Sequence, residues 1–228
     1  MNYNSLEKGA SITLEHVRNL VRNGEGKEAK DQIQYIIDNC KHILKSDRQG
    51  VNSEKNKAII IGIMFRGLQN FIDLSETINS PNWINQPILV EKAWIQMWDC
   101  KERLEYISNF CFENTLDWVI STIESLNKTF LDKFGPGIYF SAEFLVEQSA
   151  CSICKKDFRS CEHISGRIYD GILCSIIIQR LQGQGISIVE NPEDPRCRIW
   201  PWKVEGNNIN WICIMTDFKL DDFIDEIN

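Results

Sequence analysis

The sequence lacks the motifs that define most enzyme classes. It has only three histidines, and neither the HExxH helix of zinc proteases nor the H-x-E and PCxxC pair of zinc deaminases occurs. A GxSxG nucleophile elbow, a phosphate-binding loop and a dinucleotide glycine pattern are missing as well. These absences exclude the motif-defined forms of such enzymes and favour a protein without enzymatic activity, although a zinc hydrolase without those motifs remains an alternative.

Long apolar runs and an excess of basic charge are also missing. The most apolar stretch, residues 58–65, is too short to span a bilayer and is followed by Arg66. Residues 1–16 lack a basic start followed by an apolar run, so we predict neither a secretory signal nor a membrane association. The net charge of −7 argues against a general nucleic-acid binder.

The cysteine content does not fit a secreted disulfide scaffold. Nine cysteines are present, an odd number, and they are spread over a chain much longer than such scaffolds. We therefore predict a cytoplasmic protein with reduced thiols.

Apolar periodicity divides the chain into two parts. Apolar residues recur every three or four positions in five segments: 13–23, 27–45, 54–78, 88–110 and 116–130. Gly135-Pro136-Gly137 ends this pattern, and short β-like segments follow: 138–140, 173–178, 186–189, 198–204 and 210–215. The terminal segment 216–228 alternates apolar and acidic residues and is predicted as a short surface helix. The pattern predicts an α+β fold, with a helical domain over residues 1–139 and a small zinc-stabilised mixed β domain over residues 140–228.

The strongest chemical signal is the run CSICKKDFRSCEH, which contains Cys151, Cys154, Cys161 and His163. Two thiols separated by two residues can bind one ion from a tight turn, and the Cys161/His163 pair completes the four soft ligands that Zn²⁺ prefers. Cys174 can replace either Cys161 or His163, and the spacing leaves this choice open. The sequence therefore predicts a zinc site.

A structural role for this zinc is favoured over a catalytic or redox one. Catalytic zinc usually keeps three protein ligands and an open position beside a general base, whereas Glu162, between two of the ligands, is expected to point away. A redox role for the Cys151/Cys154 pair is disfavoured because Cys161 and His163 lie so near to that pair in the sequence. Structural zinc contributes about 10–16 kcal/mol of apparent binding energy, and the segment has few large apolar residues, so we predict that it is unfolded without metal.

Two further features have binding alternatives. Basic residues lie around the cysteines, so nucleic-acid recognition is an alternative function. The candidate contacts are Lys155, Lys156, Arg159, Arg167, Arg196 and Arg198. Trp200-Pro201-Trp202 can form a platform for a base or a peptide, or can cap the small core; we favour the cap.

Residues 150–200 resemble a segment attached to phage prohead protease-like and prophage-encoded proteins. That segment has a CxxC, a CxH, a GxxYxGxxC stretch, a strand and a proline turn. The matching positions here are Cys151, Cys154, Cys161, His163, Gly166, Tyr169, Gly171, Cys174, Ser187, Val189, Pro192, Asp194 and Pro195. The resemblance implies a shared metal-bound module of phage or bacterial genomes. It does not imply protease activity, because the catalytic residues of that family lie in a preceding β-rich domain and helices precede the module here.

The sequence thus favours a non-enzymatic zinc-binding protein that contacts a protein partner through its helical domain. The resemblance implies a setting as an accessory or scaffold subunit of a bacterial anti-phage or mobile-element system.

Overall fold

A computed structural model describes residues 3–46, 52–110, 116–205 and 208–211. Its N-terminal part is helical and its C-terminal part contains short antiparallel sheets, which confirms the predicted α+β class. The predicted surface helix over residues 216–228 lies outside the described residues, as does the end of the 210–215 segment.

Five α-helices form the N-terminal part of the described chain. They are α1 (Tyr3–Arg22), α2 (Gly26–Leu44), α3 (Asn52–Ile78), α4 (Pro87–Ser108) and α5 (Asp117–Phe134). Gly24, with φ of +78°, allows the tight turn between α1 and α2. Pro87 begins α4, a position where its missing N–H costs nothing.

The helices bury one continuous apolar core. Val17, Ile33, Phe65 and Val119 are almost fully buried, and they lie on four different helices. The three- and four-residue spacing of the apolar positions directs these side chains to one side of each helix. The core extends beyond the helices, because Tyr139 and Trp202 from the C-terminal part belong to the same cluster.

α1 is longer than the helix that we predicted to begin at residue 13. Leu6, Ala10 and Leu14 are buried at four-residue intervals, so the apolar stripe begins seven residues earlier. Gly9 weakens the local helical signal, since glycine costs about 1 kcal/mol in a helix. Packing of the stripe against the core overrides this weak preference.

The described strands form three two-stranded antiparallel sheets. They are β1 (Tyr139–Cys151) with β4 (Ile176–Val189), β2 (Ile168–Tyr169) with β3 (Ile172–Leu173), and β5 (Trp202–Glu205) with β6 (Asn208–Trp211). β5 and β6 overlap the predicted β-like segments 198–204 and 210–215 as far as the described residues extend. The β1/β4 ribbon is much longer than the predicted segments 138–140 and 186–189.

The C-terminal part contacts the helices at two places. Near the start of the ribbon, Trp94 Nε1 donates a 2.7 Å hydrogen bond to the Pro195 carbonyl. Beyond its other end, the Gly171 N–H donates to Asn56 Oδ1 at 2.7 Å and Tyr106 Oη donates to the Gly166 carbonyl at 3.0 Å. These contacts fix both ends of the C-terminal part against the helical domain.

Among the described residues, one helical segment is long and apolar enough to cross a bilayer. It spans Ser53–Ile78, and half of its apolar window is buried inside the protein. Because α3 packs against its neighbours through Phe65, Leu68 and Ile72, its apolar character is that of a core helix.

Candidate metal centre

Four predicted ligands converge at the distal end of the ribbon. One ligand atom each from Cys151, Cys154, Cys161 and His163 lies within 4.8 Å of the other three. Ligands of one zinc ion lie about 2.0–2.3 Å from it, so this spacing is close to that of a single tetrahedral site. The four residues can therefore hold one metal ion.

The first two ligands lie on a tight knuckle that follows β1. The Lys155 N–H donates to the Cys151 carbonyl at 3.0 Å, and Lys155 adopts a φ of +62° that reverses the chain. The Ile153 N–H donates to Cys151 Sγ at 3.4 Å. The backbone thus bends around the thiol and presents an amide to it, as the CxxC spacing predicted.

The other two ligands follow a short 3-10 turn at Phe158–Ser160. Asp157 begins this turn, since its carboxylate accepts the Arg159 N–H at 2.9 Å and also pairs with the Arg159 guanidinium at 2.8 Å. The guanidinium lowers the pKa of Asp157 to about 2. Extended backbone at Cys161 then leads to His163.

His163 is held by an aromatic neighbour. Its ring meets the Tyr169 ring edge-on at 4.7 Å between centroids, and the Tyr169 hydroxyl accepts the Ile164 N–H at 3.1 Å. His163 Nδ1 is buried and has no hydrogen-bond partner among the described residues. A buried polar nitrogen without a partner costs about 1–3 kcal/mol, and a cation bound by the three thiols would supply that partner.

A fifth donor lies next to the four ligands. Cys174 is 1% exposed, and its Sγ lies 3.9 Å from Cys151 Sγ. The Cys174 N–H donates to the Arg167 carbonyl, and its own carbonyl accepts the Gly166 N–H. The backbone just before β2 and just after β3 is thereby joined by two hydrogen bonds, which fix this thiol beside the cluster.

The thiols influence one another's ionisation. Burial opposes ionisation of Cys151, but the N–H groups of Cys154 and Ile153 and the neighbouring thiols lower its pKa to about 6. Burial raises the pKa of Cys161 and of Cys174, and the nearby Cys151 thiolate raises both further. One thiolate forms readily, and the additional negative charges need a cation to balance them.

Two cysteines of the helical domain have a different environment. Burial raises the pKa of Cys40 to about 11 and that of Cys100 to about 12. The Cys100 thiol donates to the Gly67 carbonyl at 3.3 Å. Both act as small apolar core residues, whereas the thiols at the end of the ribbon form a ligand set.

The predicted nucleic-acid contacts separate into two groups. Lys155, Lys156 and Arg167 are exposed beside the metal centre, and Arg159 is exposed but paired with Asp157. Arg196 lies elsewhere and binds three carboxylates, those of Asp99, Glu102 and Asp194. Arg198 is 9% exposed and contributes no accessible charge.

The Trp200-Pro201-Trp202 segment packs against the helical core, whereas the sequence interpretation favoured a cap on the small core of the C-terminal part. The two indoles stack at 5.1 Å and contact Phe134 at the end of α5. The Arg198 guanidinium lies over the Trp94 and Trp200 rings, 4.9 Å and 4.7 Å from their centroids.

Arg198 also completes the end of α5. Its Nη2 donates to the carbonyls of Phe134 and Gly135 at 3.0 Å and 2.9 Å. These bonds satisfy carbonyls that the helix leaves without partners. Sequence reasoning placed Arg198 among the nucleic-acid contacts and missed this role, because only the fold brings residues 134 and 198 together.

No carboxylate belongs to the ligand group among the described residues. Glu162, which lies between two ligands in sequence, is exposed. The donors are three thiols and one imidazole, and a fourth thiol lies in contact with them. This composition favours a closed site over one with an open coordination position.

The comparisons with known proteins found no match for this chain among protein-family models, curated proteins or solved structures.

Proposed function

We propose that this chain is a non-enzymatic zinc-binding protein in which the ion stabilises a small recognition module. The observation that carries the proposal is the convergence of three thiols and one imidazole within 4.8 Å. Metal-ligating side chains from a turn and a following extended segment meet here, at the end of an exposed ribbon. A bound ion would fix this geometry, which the local apolar residues are too few to stabilise.

The donor set favours zinc over other ions. Thiolate and imidazole are soft or borderline ligands, which disfavour Ca²⁺ and Mg²⁺. Tetrahedral sites built from sulfur and nitrogen are typical of structural Zn²⁺. Zinc would also balance the thiolate charges that otherwise raise the pKa of Cys161 and Cys174.

The same donor set supports a structural ion. A catalytic zinc needs a position for water and a base near it. Here four ligands and the adjacent Cys174 surround the site, and the described residues place no carboxylate in the ligand group. These features support a module that recognises a partner more than a hydrolase.

We place this protein in the cytoplasm, as an accessory or scaffold subunit with a protein partner. All seven described cysteines are free thiols, which agrees with a reducing compartment. The resemblance of residues 150–200 to phage-associated segments supports a mobile-element or anti-phage setting. Nucleic-acid recognition has weaker support, because Arg196 and Arg198 are engaged within the protein.

Metal analysis combined with cobalt substitution tests the proposal. We expect one zinc per chain in protein purified without added metal, and a cobalt form whose tetrahedral spectrum does not change with azide or other small anions. A cobalt spectrum that responds to these anions would reveal an exchangeable position and support the hydrolase alternative. Co-purification with the products of adjacent genes tests the subunit role. A monomer that purifies without partners would contradict that role.

A further inference from the structure

The β1/β4 ribbon is a long sheet of only two strands. Its thirteen residues in β1 span about 43 Å at the usual rise of an extended chain. Among the described residues, other chain segments pair with the ribbon only through single bridges at its ends, Tyr139 with Arg198 and Ala150 with Asp157. Two-stranded ribbons without a covered face are marginally stable in water, so this length suggests that another surface covers it.

One face of the ribbon is apolar and exposed. Directly opposed residues of an antiparallel pair lie on the same face, and the register pairs Phe140 with Ile188 and Val146 with Leu181. Successive side chains alternate between the two faces of the ribbon, and the register across the bulge between Glu143 and Phe144 shows which residues share a face. We call the face that carries Phe140 and Ile188 the apolar ribbon face. Its large residues, 39% to 75% exposed, are Phe140, Phe144, Val146, Leu181, Ile186 and Ile188.

The opposite face is mostly polar. Ser141 pairs with Ser187 there, and Glu143 pairs with Gly185. Leu145 lies on this side opposite Gln182, and the pair Tyr139 and Val189 lies at the near end of the same side, where both pack against the helical core. Such alternation is typical of a sheet with one buried face and one solvated face, yet the described residues leave the apolar ribbon face uncovered.

We propose that the apolar ribbon face is a dimerisation surface that packs against the same face of a second copy of this chain. Its six large side chains expose roughly 600 Å² of surface, so two such faces reach the lower end of the about 1,200–2,000 Å² that specific interfaces bury in total. Two ribbons that pack face to face form a four-stranded sandwich with sheets about 10 Å apart. This inference is independent of the metal centre.

The shape of the face is compatible with its own copy. Phe144 lies opposite Gly183 in the register, and the space where a Gly183 side chain would lie is open. In a two-fold interface each contact occurs twice with exchanged partners. The Phe144 ring of one copy can therefore fill the recess over Gly183 of the other copy, and the reverse.

The composition of the face disfavours a nucleic-acid partner. All six large residues are uncharged, whereas phosphate contacts need Lys or Arg. The nearby charged pair Arg180–Glu147, with 3.7 Å between Nε and Oε2, is internally neutral. A self-complementary apolar surface therefore accounts for the face better than a charged polymer does.

Sedimentation equilibrium of the full-length metal-loaded chain tests this proposal. We expect a dimer at micromolar concentration, and we expect Phe144→Asp and Ile186→Asp each to raise the dimer Kd by at least about 100-fold, since each change removes two buried contacts. Leu145→Asp is the matched control, because Leu145 is 54% exposed beside Phe144 but on the opposite face. It should leave the dimer intact, with metal content and circular dichroism unchanged in all variants.

A photo-crosslinking residue at position 144 keeps the test decisive if the aspartate variants fail to fold. We expect a covalent dimer with the crosslink mapped to residues 181–188 of the other copy, and no such product from position 145. A wild-type chain that is monomeric at 50 µM would overturn the proposal. A dimer that crosslinks elsewhere, or a monomer that binds lipid vesicles through Ile186, would overturn it as well.

Discussion

The Sγ atoms of Cys151 and Cys174 lie 3.9 Å apart in the interior of the metal module. Two sulfurs bound to one zinc at 2.3 Å are about 3.8 Å apart in a tetrahedron, so this distance alone would admit Cys174 as a ligand. His163 Nδ1, however, is buried without a partner among the described residues. We therefore expect Cys151, Cys154, Cys161 and His163 to be the ligands of a bound ion, with Cys174 as a neighbouring thiol outside the ligand set.

Substitution of His163 and Cys174 should separate these two roles. We expect Cys174→Ala to retain one cobalt per chain with the thiolate-to-cobalt absorption of the wild type, because its thiol is outside the ligand set. His163→Ala removes a ligand and should weaken metal binding by more than the about 10- to 100-fold that loss of an outer-shell partner costs. Cys197→Ala, at an exposed cysteine outside the cluster, is the control. If Cys174 took the place of His163, the site would have four thiolates, and a loss of about one quarter of the absorption in Cys174→Ala would reverse the assignment.

Removal of the metal should unfold the module while the helical domain stays folded. The module has little core of its own, whereas Phe65, Met97 and Phe130 are buried among the helices. Hydrogen exchange measured by mass spectrometry, with and without a chelator, checks this difference. We expect loss of protection at residues 151–175 and unchanged protection in α3 and α4. Equal exchange in both samples would show that the metal does not stabilise the module.

Arg198 should be the most sensitive basic residue of the C-terminal part. Its Nη2 donates to two carbonyls at the end of α5 and its guanidinium stacks on two indoles. We expect Arg198→Ala to lower the free energy of unfolding by about 2–4 kcal/mol, since hydrogen bonds to buried charged groups contribute about 1.5–3 kcal/mol. Urea denaturation provides the measurement. Arg180→Ala, whose side chain is 70% exposed, should change the stability by less than about 0.5 kcal/mol.

The buried thiol of Cys100 should make the helical domain sensitive to high pH. Burial raises its pKa from 9.0 to about 12, so the unfolded chain loses this proton first. The stabilisation that comes from the raised pKa of Cys100 is complete below pH 9 and is lost as the pH rises toward 12. At pH 10.5 we expect the loss of stability relative to pH 8 to be about 2 kcal/mol greater in the wild type than in a Cys100→Ala variant, which keeps the contribution of the buried Cys40 thiol. Parallel pH profiles of wild type and variant would contradict the raised pKa.

Helix positions were predictable from sequence because their signal is local. The spacing of Ala29, Ile33 and Ile37 marked α2 to within one residue at each end. The grouping of the four candidate ligands was predictable for the same reason, since the CxxC and CxH spacings lie within thirteen residues.

The ribbon was not predictable in the same way. Gly183, Gln184 and Gly185 interrupt the strand pattern of β4, and the register contains three irregularities. Pairing of β4 with residues 25 to 50 positions away, rather than local preference, fixes it as a strand. The positions of Cys174 beside Cys151 and of Arg198 at the end of α5 also depend on such distant contacts.

X-ray absorption at the zinc edge tests the central claim most directly, since it reports the ligands of the ion in the intact protein. The account predicts three sulfur neighbours at about 2.3 Å and one nitrogen neighbour at about 2.0 Å, in a tetrahedral shell. A shell with two sulfurs and additional oxygen neighbours would show an open site, and protein purified without any bound zinc would contradict the proposed metal centre.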